Sequence, residues 1–164
     1  VSALKAEARL EPQETKAYFT EARICDESGS PAATFPFTSP IRLFCRYVVK
    51  EPIRGLAVSL ALYDRDSAKV FETFQPPDAM GPEDSPFPPG EYVAEATIPG
   101  GLVAPGRYSI SAGLHRPTTR VFDARPHVLR FEVVETGTKR FPYPGQHVGA
   151  VLVDFPWQVR RADP

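Results

Sequence analysis

The sequence predicts an all-β fold, an immunoglobulin-like or jelly-roll antiparallel β-sandwich, and three observations carry that prediction. Apolar and polar residues alternate with period two in segment after segment. The cleanest is 107–115, where Tyr108, Ile110, Ala112 and Leu114 face one way and Arg107, Ser109, Ser111, Gly113 and His115 the other. Nineteen prolines and eleven glycines disfavour long helices. The run Pro105-Gly106-Arg107-Tyr108 puts a tyrosine at the mouth of a strand, where sandwiches use a tyrosine corner to tie the preceding loop to the backbone.

Taken in order, strands are expected near 17–25, 41–49, 56–64, 69–74, 91–98, 107–115, 128–135 and 150–157. Polar turn residues separate them: Asp26-Glu27-Ser28-Gly29, Lys50-Glu51-Pro52 and Asp64-Arg65-Asp66-Ser67. Residues 76–90 form a longer proline-rich loop, and a turn-rich connection with a short extended piece leads from 115 to 128. Residues 17–159 make one domain, 160–164 a tail, and 1–16 a linker or the tail of a preceding domain. Pro12 stops any helix over 2–12, and the opening Val1 fits a piece of a longer protein.

Threaded in immunoglobulin order, the third, fourth, sixth and seventh strands make one sheet and the first, second and fifth the other. Ile41, Leu43, Cys45, Leu56, Val58, Leu60, Leu62, Tyr92, Ala94, Ala96, Ile98, Ile110, Leu114, Leu129, Phe131 and Val133 then face inward. The outward residues of the smaller sheet, Glu21, Arg23, Arg42, Arg46, Glu95 and Thr97, read as a solvated surface of mixed charge. On the other sheet small residues, Ser59, Ser109 and Ser111 among them, leave a shallow depression in the middle, and around it stand Tyr63, His115, Arg130 and Glu132. Those seven are the candidate carbohydrate-binding residues. A sugar needs an aromatic plane for its C–H face and planar polar groups for its hydroxyls. Serines and alanines on a strand face equally suit plain surface or a packing site.

Other functions find little support. Nineteen basic against twenty acidic residues, net charge -1, give no general attraction to nucleic acid, although a local patch stays open. No apolar run approaches the roughly 20 residues of a membrane span, and the N-terminus lacks a signal-peptide pattern. Cys25 and Cys45 read as reduced, buried thiols. His115, His127 and His147 have no zinc spacing, Asp64 and Asp66 read as a hairpin turn rather than a calcium loop, and Asp123 as a turn or backbone cap. No metal or other cofactor is expected. GxSxG, HExxH and GxxxxGK[ST] patterns are all absent, so the reading is a binding domain rather than an enzyme.

The segments LVAPGRYSISAGLH, VFD and LRFEVV within 102–134 resemble the C-terminal domain of Wzt-type subunits, the ATP-binding components of bacterial O-antigen polysaccharide ABC transporters. FTEARICDESG at 19–29, IRLFCRYVVKEPI at 41–53, LALYDRDSAKVFET at 60–73 and GAVLVDFPWQV at 149–159 fit the same series of strands. The resemblance implies non-catalytic binding of a cell-surface polysaccharide to select it for export, with ATP hydrolysis belonging to another domain. It also implies a homodimer, a transmembrane transporter subunit as partner through the full-length protein, and a place at the cytoplasmic face of the inner membrane. For the dimer, Phe155 and Trp157 on the last strand are the candidate contacts, since a terminal strand after a long loop can exchange between subunits. The alternative is an immunoglobulin-like protein-interaction or spacer module.

Overall fold

The computed structural model of the chain describes residues 3–76, 85–135, 149–151 and 156–161. In chain order its strands are β1 (Glu7–Arg9), β2 (Ala17–Cys25), β3 (Thr34–Pro36), β4 (Ile41–Val49), β5 (Ile53–Arg54), β6 (Ala57–Asp64), β7 (Lys69–Phe74), β8 (Pro86–Phe87), β9 (Gly90–Ile98), β10 (Gly106–Arg116) and β11 (Arg120–Val134). They form where alternation coincides with β-branched and aromatic residues, as in IRLFCRYVV of β4. One sheet runs β1-β2-β4-β9, the other β3-β11-β10-β6-β7, and β5 pairs with β8 as a separate ribbon. The main strands divide between the sheets as the immunoglobulin-order threading predicts. One pairing is parallel: β3 lies alongside Glu132 to Val134 at the end of β11.

The inward faces make one core. Phe19, Ile24, Leu43 and Cys45 meet Leu62, Ile110, Leu114, Leu129 and Phe131, all fully buried. Each large side chain among them contributes about 1.5–3 kcal/mol. Edge-on and stacked rings join in, with Phe131 between Phe35 at 6.1 Å and Tyr108 at 5.6 Å. Tyr92, Ala94 and Ala96, expected in this core, are only half-buried. They lie on β9, an edge strand, and line a cleft of about 420 Å³ with Tyr47, Leu60 and Phe74.

Two ties pin the sandwich together. The Tyr108 hydroxyl donates to the Ala104 carbonyl at 2.7 Å, the tyrosine corner expected from Pro105-Gly106-Arg107-Tyr108, and burial pushes its pKa up to about 12. Asp123 caps a backbone group far away in the chain. Its Oδ2 accepts the Phe19 amide of β2 at 2.9 Å and its Oδ1 accepts from Arg125 Nε at 2.8 Å. The Phe19 amide lies beside a bulge in the β2–β4 pairing between Phe19 and Glu21. Cys25 and Cys45 are free and buried, and desolvation raises both thiol pKa values, Cys45 to about 12.

Three boundaries differ from the sequence reading. Residues 1–16, expected as a linker or tail, contain β1, which pairs Glu7 with Arg23 and Arg9 with Glu21, while Lys5 bridges to Arg130 on the other sheet. The Ala- and Glu-rich composition there suits a helix, but pairing along the edge of β2 overrides so weak a local preference. The strand expected at 128–135 begins at Arg120, because two bulges carry β11 through Pro126 without breaking its pairing to β10. In the strand expected at 150–157, Val151 makes an isolated bridge to Val103, Pro156 and Trp157 are not in a strand, and 152–155 lie outside the described residues.

Candidate functional site

Register lays out the outer face of the β3-β11-β10-β6-β7 sheet row by row. Lys5 stands opposite Arg130, Arg130 opposite Ser109, Ser109 opposite Tyr63 and Tyr63 opposite Lys69, so one polar row crosses the sheet with cations at both ends. Next to it, Arg107 pairs with Glu132 in register, though no ion pair joins them. On the other side come Ser111 and Ala61, then Gly113 and Ser59, then His115 and Ala57.

The centre of the polar row is built around a residue that sequence reasoning passed over. Between Ile110 and Ala112, β10 offers only Ser111, whereas β11 spends Pro126, His127 and Val128 between their partners. His127 is left-handed in this bulge, at φ 48°, an uncommon conformation for a residue with a side chain. Two serines hold it there. Ser111 Oγ accepts the His127 amide at 2.8 Å, replacing the lost ladder bond, and Ser109 Oγ shares a hydrogen with His127 Nδ1 at 2.7 Å. The Tyr63 ring meets the imidazole at 5.1 Å. Ser109 and Ser111 are therefore tied to His127, each with hydroxyl capacity for a further bond.

The opposite end of the face carries an aromatic pair, with Phe74 56% exposed. Phe74 on β7 and His115 on β10 meet edge-on at 5.9 Å across the intervening β6, and Ser59, directly opposite Phe74, is only 8% exposed. A Cβ on Gly113 would lie 2.7 Å from Ser59 Oγ, so the two fill the floor together. Burial lowers the His115 pKa, with Glu72 partly opposing it. Ser59 and His115 thus belong to an aromatic end, and Tyr63, Ser109, Ser111 and Arg130 to the polar end.

At that polar end opens a cleft of about 800 Å³ lined by Asp64, Arg65, Arg107, Ser109, His127 and Arg130 among others. Asp64 Oδ1 accepts the Asp66 and Ala68 amides at 2.9 Å each, which shapes the β6–β7 turn. Among the described residues, neither Arg107 nor Arg130 has an acidic partner within 4.0 Å. Donors without acceptors facing a cleft suit a ligand rich in oxygen. Arg107 is visible in the alternation of 107–115 as an outward residue, but His127 is not, because nothing in Arg-Pro-His announces a bulge. No group of His, Cys, Asp or Glu able to hold a metal ion occurs among the described residues, nor a helix long and apolar enough to cross a membrane. Phe155 lies outside the described residues, and Trp157 is 86% exposed.

Two facing sheets, Greek-key-like strand order and a buried tyrosine corner define an immunoglobulin-like β-sandwich whose larger sheet carries a polar cleft on its outer face. The Wzt C-terminal domain family matches residues 11–143, and the chain belongs to it. The crystal structure of the C-terminal domain of wzt superposes with TM-score 0.69 at 12% identity, covering 95% of this chain and 89% of that one. A β-glucuronidase from Parabacteroides merdae has TM-score 0.40 at 18% identity over 72% of this chain and 14% of its own. The CARDB domain of the PF1109 protein from Pyrococcus furiosus has TM-score 0.40 at 12% identity over 74% and 90%. No curated protein sequence matches the chain.

Proposed function

We propose that this domain binds O-antigen polysaccharide without chemical change and thereby selects it for export by an ABC transporter at the cytoplasmic face of the inner membrane. Membership of the Wzt C-terminal domain family supports the ligand class. The observation that carries the site is the polar end of the larger sheet's outer face, where Arg107 and Arg130 stand without acidic partners beside Tyr63, Ser109 and His127. The Tyr63 ring offers a plane to a pyranose, and the guanidinium forks match vicinal hydroxyls or ring substituents. Glu132, opposite Arg107, supplies an acceptor.

Binding at one domain is expected between mM and µM, about -4 to -8 kcal/mol. Two copies near the membrane raise the effective concentration, and a homodimer formed by exchange of the C-terminal segment supplies them, with Trp157 at the contact. The 86% exposure of Trp157 supports that contact, since an isolated indole in water forgoes its burial. The ATP-binding domain and the transmembrane subunit belong to the full-length protein. Titration with native O-polysaccharide, followed by backbone chemical shifts, tests the reading. Saturable shifts at 63, 107–111, 127 and 130, absent with an unrelated polysaccharide, are the expected result; no response at mM sugar overturns it.

A further inference from the structure

The hairpin joining β10 to β11 closes at the far end of the sheet from Arg107, nine residues along β10, roughly 30 Å at the rise of an extended strand. There it faces a second cleft, of about 450 Å³, lined by Lys16, Arg54, Arg116, Thr119, Arg120 and Phe122, with no carboxylate among the described residues of its walls. Arg116 and Arg120 are register partners, and like charges set directly opposite destabilise a strand pair. Among the described residues neither has an acid within 4.0 Å, whereas Lys16 pairs with Glu51 at 3.3 Å.

The turn between them is itself costly. Pro117 precedes Thr118, whose φ is 59°, and the Thr119 amide closes the turn on the Arg116 carbonyl at 3.1 Å. Glycine or asparagine is the usual occupant of such a position, and a β-branched residue there is a strained exception. Proline fixes one side of the turn, and the Thr119 hydroxyl donates to the Pro117 carbonyl at 3.2 Å on the other. The Arg120 guanidinium lies over the Phe122 ring at 5.1 Å, which orients it. Repulsion and strain are thus maintained together at one place, where a shorter turn with a neutral pair would relieve both.

We propose that this cleft binds a phosphate group, a monoester or diphosphate, between the Arg116 and Arg120 forks. A tetrahedral dianion has enough oxygens to serve two forks at once, and its charge cancels the Arg116–Arg120 repulsion, which a single carboxylate does only in part. The site is separate from the glycan face and stands without it. The phosphate could come from a lipid headgroup or from a soluble phosphate ester.

The test uses the chain with inorganic pyrophosphate and, separately, with vesicles of phosphatidylcholine containing phosphatidic acid. The wild type is expected to bind pyrophosphate saturably with Kd below about 1 mM. Arg116→Ala with Arg120→Ala is expected to weaken this at least tenfold with unchanged thermal unfolding, whereas Arg107→Ala leaves it intact. Pyrophosphate binding together with Arg116- and Arg120-dependent vesicle binding assigns a lipid source, and pyrophosphate binding alone a soluble one. No saturable pyrophosphate binding, binding undiminished in the double variant, or attachment to vesicles only, which is plain surface attraction, overturns the proposal.

Discussion

The outer faces of the two sheets are built from similar residue types and end in opposite states. On the β1-β2-β4-β9 sheet every named charge finds a neighbour: Arg42 meets Glu95 at 2.7 Å, Arg46 meets Glu21 at 3.6 Å, and the guanidiniums of Arg23 and Arg42 both lie 5.0 Å from the centre of the Phe44 ring. On the larger sheet Arg107 and Arg130 stand beside a cleft with no such partner, and the nearby serines are committed to His127. The difference teaches that equal charge content can leave unequal hydrogen-bonding capacity: among the described residues the smaller sheet leaves the buried Arg23 Nε without a hydrogen-bond partner, and the larger leaves two arginines beside a cleft without acidic partners. Surface pairs like those of the smaller sheet contribute about 0–1 kcal/mol each and saturate the groups that make them.

The comparison can be broken hardest at the tie between the sheets. Asp123→Ala leaves the Phe19 amide and the Arg125 guanidinium without their shared acceptor, and should destabilise the domain by about 3–5 kcal/mol in urea unfolding. Both faces would then be lost together. A loss under about 1 kcal/mol would show that water substitutes for the carboxylate. Tyr108→Phe removes the hydroxyl from the buried Ala104 carbonyl and should cost about 1–3 kcal/mol by the same measurement.

Sharpening the contrast between the faces needs ligand rather than denaturant. Arg107→Ala and Arg130→Ala should each weaken native O-polysaccharide binding about tenfold, near 1.4 kcal/mol, with stability within about 0.5 kcal/mol of wild type. Arg42→Ala and Arg46→Ala on the smaller sheet should leave that affinity unchanged, and calorimetric titration of the four variants decides between the faces. The smallest effect belongs to His115. Burial holds its pKa below the ordinary 6.5, so as pH falls below 6.5 the unfolded chain takes the proton first. Its contribution is therefore complete above about pH 6.5 and is lost as pH falls through the lowered value. The Tm of wild type should drop more between about pH 7 and 5 than that of His115→Gln, whose pH profile should be flatter.

Much of the scaffold was legible because alternation reports facing directly. Tyr108, Ile110, Ala112 and Leu114 are buried, their neighbours are not, and threading in immunoglobulin order assigns β2, β4, β6, β7 and β9 to their sheets. Short strands escaped it: three residues such as Glu7–Arg9 or Thr34–Pro36 are too few for a period to declare itself. The candidate face was found as a surface but not as a site. Ser59 and His115 alternate outward like Ser109, yet the Phe74 ring reaches across to His115 at their end, a contact between strands that no single-strand pattern contains. His127 was set aside for a related reason, and Asp123, expected as a turn or backbone cap, is such a cap with a partner that no local pattern names. Each acts where pairing is irregular, and each finds its partners on a different strand.

The β11 bulge has a consequence for how this domain can diversify. Three residues, Pro126, His127 and Val128, stand against the single Ser111, an excess of two, so Arg125 and Leu129 keep the facing that an uninterrupted ladder would give them. Loss or gain of residues here in twos leaves Asp123 on its tie and Phe131 in the core, while a change of one inverts the strand on one side. Related chains are therefore free to lengthen, shorten or remove the feature that carries His127, reshaping the wall of the cleft, without re-threading the sandwich beneath it.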